Sequence, residues 1–147
     1  MSGNEVVYIE KVDSPRSVRI ISHIGGRNPT YCTGVGKVLL AGLSDKEVEK
    51  IVASTGMEKF TSNTINTLGK LKECLTEVCK KGYAYDLEEI EIGLRCVAAP
   101  IKNHQGMTVA AISLSGPTNR IPDEILEQLS KDTVDAAYRI SAKLGYI

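Results

Sequence analysis

The sequence predicts an α+β fold in which amphipathic helices flank an antiparallel, cupped sheet. Two predicted hairpins point to this class. Residues 6–12 and 18–24 are rich in β-branched side chains, and residues 94–102 and 107–115 flank a polar turn that ends in Gly106. Helix-spaced apolar residues follow each hairpin. This order of hairpin, helices, short strand, hairpin and helix differs from the strand–helix alternation of a parallel fold.

The first two predicted helices have recognisable boundaries. The first begins near Gly34 and carries an apolar face. Ser44 and Glu47 have the spacing of a capping box, with Ser44 as the N-cap and Glu47 at the third helical position. The helix that they open is expected to end near Gly56.

The remaining elements are a third helix, a short strand and a final helix. Residues 67–81 carry an apolar stripe at helical spacing, and residues 83–86 are typical of a short strand. The last helix is expected to run from Pro122, at its first helical position, to Gly145. By analogy at the level of fold alone, this layout is that of sensor domains of the GAF/profilin-like type.

Length and composition limit the class of protein. The chain of 147 residues matches one domain, residues 1–147, and its 18 basic and 18 acidic side chains cancel. This balance argues against a nucleic-acid-binding module, which needs a basic face. No apolar run has the ~18 residues of a membrane-spanning helix, and no signal peptide opens the chain. Four cysteines without such a signal are typical of reduced thiols, so we expect a cytoplasmic protein.

A glycine-containing turn at residues 33–37 leads into the first helix. It is not a phosphate-binding P-loop, because that motif needs glycine at the position of Tyr31 and Ser or Thr at the position of Val38. The free backbone N–H groups of such a turn favour a carboxylate or a phosphate. Alternatively, Gly34 and Gly36 only allow the helix to pack tightly on the sheet, and spacing alone favours this second interpretation.

The cysteines and histidines form no strong metal or catalytic motif. No Cys-x2-Cys pair occurs, so we predict no metal and no cofactor, with a zinc site of His23, Cys32 and Cys96 as an alternative. Cys96 lies in an apolar strand, where a cysteine either fills the core or lines a ligand cavity. No nucleophile motif such as G-x-S-x-G is present.

Three polar side chains are candidates for contact with a ligand. Asp86 ends the short strand, where a side chain can turn into a pocket, although the acidic run at residues 86–91 is also typical of a solvated surface. Ser113 and Ser115 alternate with Leu114, so both hydroxyls face the same side of their strand. Buried hydroxyls need partners, which either neighbouring backbone or a polar ligand supplies.

Several segments together resemble the effector-binding domain of IclR-family transcriptional regulators. Their order and spacing carry the resemblance over nearly all of the chain. The matching segments are GRNP at 26–29, TGVGKVLLA at 33–41, KGYAYDLEE at 81–89, GLRCVAAP at 93–100, AAISLSGP at 110–117 and ISAKLG at 140–145.

The resemblance implies a ligand-sensing and oligomerisation domain that binds a small metabolite, often a carboxylate or an aromatic acid, in its cup. Such regulators carry a winged helix-turn-helix ahead of this domain and associate into dimers and tetramers. No such DNA-binding part is found here, and Met1-Ser2-Gly3 is typical of an expression start, so we expect an excised fragment without it. By match, the implied effector contacts are the backbone N–H groups of Gly34 and Val35 and the side chains of Asp86, Cys96, Ser113 and Ser115.

Two residues depart from the family pattern. Tyr31 stands where the family commonly has histidine, and Val38 stands where alanine is usual. Both are expected to add bulk beside the ligand turn, which leaves the size of the effector open.

Two other functions remain alternatives to effector binding. One is a structural oligomerisation domain that binds no small ligand. The other is a hydrolase that uses Cys96 as its nucleophile, although we expect the chain not to be an enzyme.

Overall fold

A computed structural model describes residues 1–17, 19 and 22–147, and this part contains five strands, four α-helices and one short 3₁₀ turn. In chain order they are β1 (Glu5–Val7), β2 (Arg27–Pro29), α1 (Gly34–Ala41), α2 (Asp45–Thr55), α3 (Leu68–Lys81), β3 (Ala84–Leu87), β4 (Leu94–Lys102), β5 (Thr108–Pro117), the 3₁₀ turn (Thr118–Arg120) and α4 (Asp123–Lys143).

Strands β3, β4 and β5 form an antiparallel sheet in that order. β4 spans the predicted residues 94–102, whereas β5 begins at Thr108 and continues to Pro117. In the turn between them, the Gly106 N–H donates to the Asn103 carbonyl at 2.9 Å, and Gly106 has a φ of 77°, which favours glycine. The predicted second hairpin is therefore confirmed.

The N-terminal strand pairs with a different segment from the one predicted. β1 is antiparallel to β2, with Val6 opposite Asn28, and two further hydrogen bonds join Tyr8 to residues 25 and 26. The predicted partner at residues 18–24 is wrong at its described positions, because residues 19 and 22–24 lie in no strand. Residues 18, 20 and 21 lie outside the described residues. A β-branched composition is thus a weak guide to pairing, since tertiary context decides it.

The helix boundaries follow the local signals. The Glu47 carboxylate accepts the Ser44 N–H at 2.8 Å, which confirms the capping interaction, and α2 gives way to Gly56 with a φ of 70°. α3 ends at Gly82, whose N–H donates to the Val78 carbonyl at 2.8 Å. Pro122 is the N-cap of α4 rather than its first helical residue.

Helix α1 lies across one face of the sheet. A Cβ at Gly34 would lie 3.2 Å from the Ala98 Cβ on β4, and a Cβ at Gly42 would lie 2.8 Å from the Thr108 Cβ at the start of β5. The helix therefore runs from the middle of β4 towards the hairpin end of the sheet.

The other face and the outer layer complete the packing. On the opposite face, Ala137 of α4 packs with Ala99 and Ile101 of β4. α2 and α3 cover the outside of α1 and share an apolar cluster with it, which consists of Tyr31, Cys32, Leu40, Val48, Ile51, Leu71 and Leu75. In the described part of the chain, no helix combines the length and apolar character needed to cross a bilayer.

Candidate functional site

The register of the sheet brings three predicted site residues into one row. Asp86 on β3 is opposite Cys96 on β4, and Cys96 is opposite Ser115 on β5. Residues that are directly paired across neighbouring strands point to the same face of a sheet. Ser113 lies two positions along β5 and therefore faces the same way, as predicted from its alternation with Leu114.

The N-terminus of α1 points towards this row. Gly34 lies over Ala98, one row closer to the hairpin end than Cys96, and α1 runs away from the row from there. The N–H groups at its start, which point backwards along the axis, therefore face the row formed by Asp86, Cys96 and Ser115.

Two of these N–H groups have no acceptor within the described residues, namely those of Gly34 and Val35. The Gly36 N–H is used by the N-cap, since it donates to Thr33 Oγ1 at 3.2 Å, and the Thr33 hydroxyl in turn donates to the Pro29 carbonyl at 2.7 Å. The helix start thus offers two free donors beside two hydroxyls and a carboxyl group.

The alternative interpretation of the two glycines, close packing, is also realised. A Cβ at Gly36 would lie 2.2 Å from the Thr30 carbonyl oxygen, a distance that no side chain can occupy. Gly36 is therefore required by the loop before α1. Gly34 packs less tightly, against Ala98 of the sheet.

Asp86 is the most deeply buried polar group of the site, with 1% of its surface exposed. Its Oδ1 accepts the Glu89 N–H at 2.8 Å. Burial raises the pKa of this carboxyl from 3.8 to about 6, because desolvation disfavours the charged form more than the hydrogen bond from Glu89 favours it. The group can therefore change its protonation state close to neutral pH.

Cys96 does not have the properties of a nucleophile. Burial raises the pKa of its thiol to about 12. A side-chain hydrogen bond with Ser115 lowers this pKa, but by less than burial raises it. At neutral pH the sulfur is then a neutral thiol, whereas a reactive cysteine needs its thiolate. Cys96 is suited to lining a polar hollow, and the geometry gives the hydrolase alternative no support.

The zinc alternative also lacks geometric support. Within residues 1–17, 19 and 22–147, no group of three or more His, Cys, Asp or Glu side chains is arranged to hold a metal ion. His23, Cys32 and Cys96 therefore do not form such a group. Cys32 is fully buried in the cluster between α1, α2 and α3, and burial raises the pKa of its thiol to about 12.

One residue near the site, Tyr8, was missed by the sequence analysis. Tyr8 packs against the cluster that contains Val35, and its hydroxyl accepts the Asn28 amide at 3.1 Å. Burial raises the pKa of Tyr8, and electrostatic interactions with Cys96 and Asp86 raise it further, so Tyr8 lies near the row. Its position two residues after Val6 in a strand pattern was the signal that could have placed it on the inner side.

The site is open at the β5 side. Ser113 is half-buried and Ser115 is exposed. Ser115 lines a cleft of about 180 Å³ that Ser14 and Arg19 also line, whereas Asp86 and Ser113 do not contribute to its wall. The cup that the family resemblance implies is thus an open face with a buried carboxyl group at one end.

The two departures from the family pattern lie in different places. Tyr31 packs in the cluster formed with α2 and α3, and its hydroxyl donates to the Glu58 carbonyl at 2.7 Å. The expectation that it adds bulk beside the ligand turn is therefore wrong. Val38 packs in the same cluster as Val35 and Ala98, next to the helix start.

Comparison with known proteins gives a consistent result. The family model described as "Bacterial transcriptional regulator IclR C-terminal" matches residues 1–142. The HTH-type transcriptional regulator KdgR of Escherichia coli K12 is 41% identical over 146 residues, which cover 99% of this chain and 56% of KdgR. The chain spans about half the length of the curated relatives it matches. These relatives are named as transcriptional regulators, which are not enzymes.

Solved structures show the same fold. The crystal structure of Thermotoga maritima IclR has a TM-score of 0.91 and 38% identity, with 99% of this chain and 59% of that chain covered. The inducer-binding domain of an Acinetobacter PobR double mutant, in complex with 3-hydroxybenzoic acid, has a TM-score of 0.86 and 28% identity, with 96% and 83% covered. The predicted α+β class with an antiparallel sheet is confirmed.

Proposed function

The chain belongs to the IclR family of bacterial transcriptional regulators, and from this premise we propose that residues 1–147 form one effector-binding domain that senses a small carboxylate. In this proposal the domain binds a metabolite without transforming it and alters the DNA binding of a winged helix-turn-helix outside this chain. As part of a regulator that acts on bacterial DNA, it would work in the cytoplasm. The PobR complex supports the proposal, because that related domain holds a hydroxylated aromatic acid.

The observation that carries the proposal is the convergence of hydrogen-bond donors on one face of the sheet. The free N–H groups of Gly34 and Val35 face a row that ends in the Ser115 hydroxyl, and Ser113 lies beside them. A carboxylate accepts hydrogen bonds from all of these donors, and the positive end of the α1 dipole favours its charge. Within this group, Cys96 adds a neutral polar lining.

Asp86 gives the site its selectivity in this proposal. Its carboxylate accepts from a hydroxyl of the ligand, or, when protonated, it donates to a ligand oxygen. Both protonation states of Asp86 are accessible near neutral pH, because burial raises its pKa to about 6. An ionised Asp86 would repel a bare carboxylate, so we expect the anionic end of the ligand to lie at the α1 start and a hydroxyl or carbonyl near Asp86.

Self-association would transmit the signal. Several large apolar side chains of α4 are exposed, and exposed apolar side chains of this size can contribute to contact with a partner. They are Ile125, Val134, Tyr138, Ile140 and Leu144. A ligand that binds one quaternary arrangement more tightly than another shifts the population by its differential affinity. The same side chains would also serve the alternative, an assembly domain without a small ligand.

Calorimetric titration of the chain with a panel of small carboxylates tests the proposal. For any carboxylate that binds, we expect the double variant Ser113→Ala/Ser115→Ala to lower the affinity about fivefold or more, because each lost hydrogen bond costs about 0.5–1.5 kcal/mol. Ser54→Ala is the matched control, since Ser54 is exposed on α2 and donates to the Ile51 carbonyl away from the sheet.

Two results would contradict the proposal. One is unchanged affinity in the double serine variant, which would place the ligand elsewhere. The other is the absence of binding by every carboxylate in the panel while the chain forms a stable dimer or tetramer, which would favour the assembly alternative.

A further inference from the structure

A second cleft, of about 470 Å³, opens between α3 and β3. Its volume lies within the range of ligand sites, about 300–1,000 Å³. None of the six residues of the proposed effector site lines it. The side chains on which the following argument depends are Lys37, Ile65, Val78, Lys81, Leu87 and Glu89.

A buried ion pair contributes to the wall of this cleft. Lys37 and Glu89 are both almost completely buried, and the Lys37 ammonium donates to Glu89 Oε2. The other carboxylate oxygen, Glu89 Oε1, is buried and has no hydrogen-bond partner within the described residues. A buried carboxylate oxygen without a donor is costly, and such groups in folded proteins are normally satisfied. A ligand hydroxyl in the cleft would supply the missing donor.

A basic side chain stands at the rim. Lys81, near the end of α3, is exposed and forms no ion pair with any described residue. The neighbouring acid Glu77 is instead paired with Lys80 at 2.9 Å. The positive charge of Lys81 is therefore available to an anionic group of a ligand.

Part of the remaining wall is apolar, although Asn63, Glu77 and two tyrosines also line the cleft. Ile65, Val78 and Leu87 line it, and they accommodate a short carbon chain. We propose that this cleft is a second ligand site, which takes a small hydroxylated carboxylate with a hydroxyl donating to Glu89 Oε1 and the carboxylate at Lys81.

The second site is physically connected to the first. The Glu89 N–H donates to Asp86 Oδ1 at 2.8 Å, and Lys37 belongs to the same helix as Gly34 and Val35. Binding at the cleft does not depend on the proposed effector site being correct, because the two sites have no lining residue in common.

Nuclear magnetic resonance of the ¹⁵N-labelled chain with gluconate as the probe tests this proposal. At about 10 mM gluconate, enough to occupy most of a site with a Kd near 1 mM, we expect amide shifts at residues 63–65 and 74–81. Sorbitol, which lacks the carboxylate, and hexanoate, which lacks the hydroxyls, should bind at least about tenfold more weakly, because each satisfies only one polar end.

Substitutions at the rim separate the cleft from nonspecific binding. Lys81→Glu should weaken gluconate binding about tenfold or more without unfolding the chain, because Lys81 is exposed. Lys70→Ala is the matched control on the same helix, and it should leave the affinity unchanged, since Lys70 is exposed and does not line the cleft. Glu89→Gln keeps a side chain of the same size, and it should also weaken binding if the folded spectrum is retained.

Four outcomes would overturn the proposal. The first is that gluconate shifts no amide of the cleft. The second is equal affinity in wild type and Lys81→Glu, and the third is equal affinity for hexanoate or sorbitol. Shifts confined to Gly34, Val35 and Ser113 would also overturn it while leaving the proposed effector site intact.

Discussion

Asp86 shows how burial changes the chemistry of a single residue. In the sequence it belongs to an acidic run that is typical of a solvated surface, yet only 1% of its surface is exposed. The carboxyl is held by the Glu89 N–H, and desolvation raises its pKa to about 6. Keeping an ionised carboxylate at this position therefore opposes folding above that pH.

The pH dependence of stability follows from this shift. Because the folded pKa of Asp86 is above its ordinary value of 3.8, its stabilising contribution is complete below pH about 4 and is lost as the pH rises through about 6. Asp86→Asn keeps an acceptor for the Glu89 N–H and removes the charge. The variant should gain about 2–3 kcal/mol in free energy of unfolding relative to wild type between pH 4 and pH 7.

Urea denaturation at a series of pH values measures this difference. The control is Asp135→Asn, an exposed position on α4. A constant difference between Asp86→Asn and wild type across this pH range would show that the carboxyl is solvated, contrary to the structure.

Helix α1 depends on contacts with distant residues as well as on its own local capping. Its start is set locally by the Thr33 cap, but six of its eight residues are buried. The absence of a Cβ at Gly36 allows the helix to approach the Thr30 backbone, and this contact is visible only in the tertiary structure. Gly34 packs on the sheet against Ala98, as the alternative interpretation of the two glycines has it, whereas Gly36 accommodates the loop residue Thr30 rather than the sheet.

Two Gly→Ala substitutions in helices should therefore have opposite effects. Gly36→Ala places a Cβ at 2.2 Å from the Thr30 carbonyl oxygen, and we expect it to destabilise the chain by about 3 kcal/mol or more. Gly69→Ala, in the first turn of α3, meets nothing within 4 Å and should stabilise the chain by about 0.5–1 kcal/mol. Thermal and urea unfolding compare the two variants, and equal effects would contradict the close approach of α1 to the loop.

Strand β1 shows that strand propensity does not predict which segments pair. β1 has the predicted character of a strand, but its partner is β2, which contains a proline and follows two glycines. Pro29 is tolerated because, among the described residues, β2 pairs only with β1 and leaves its other edge unpaired. Composition predicted β1 correctly, but the position of residues 27–29 in the folded chain determines which segment pairs with it.

At the scale of the whole molecule, one buried ion pair joins distant parts of the chain. Lys37 of α1 and Glu89 of the connection after β3 are 52 positions apart, and both side chains are less than 10% exposed. The interpretation of residues 86–91 as a solvated charge run is therefore wrong for Glu89 as well as for Asp86. Each charge requires the other, because an unpaired charge in the interior is strongly disfavoured.

A double-mutant cycle tests this interdependence. Lys37→Met and Glu89→Leu should each destabilise the chain by about 3–5 kcal/mol, since each leaves one charge buried and unpaired. The double variant should return to within about 1–2 kcal/mol of wild type, because two apolar side chains of similar volume replace the pair. Urea unfolding measures all four proteins, and single-variant costs below about 1 kcal/mol would show that water reaches the pair.

Local interactions explain what the sequence determined by itself. The capping residues, the glycines with positive φ and the alternation of strand residues act within a few positions, so they fix the helix ends, the β4–β5 hairpin and the common face of Ser113 and Ser115. The family resemblance rests on the same local motifs in a fixed order.

Contacts between distant segments were decided only by the tertiary structure. The alignment of Asp86, Cys96 and Ser115 depends on strand register, and the raised pKa of Asp86 depends on packing that excludes water. The pairing of Lys37 with Glu89, and the cleft that they help to form beside α3, follow from where the helices settle on the sheet. Burial is a property of the assembled fold, and no short stretch of sequence contains it.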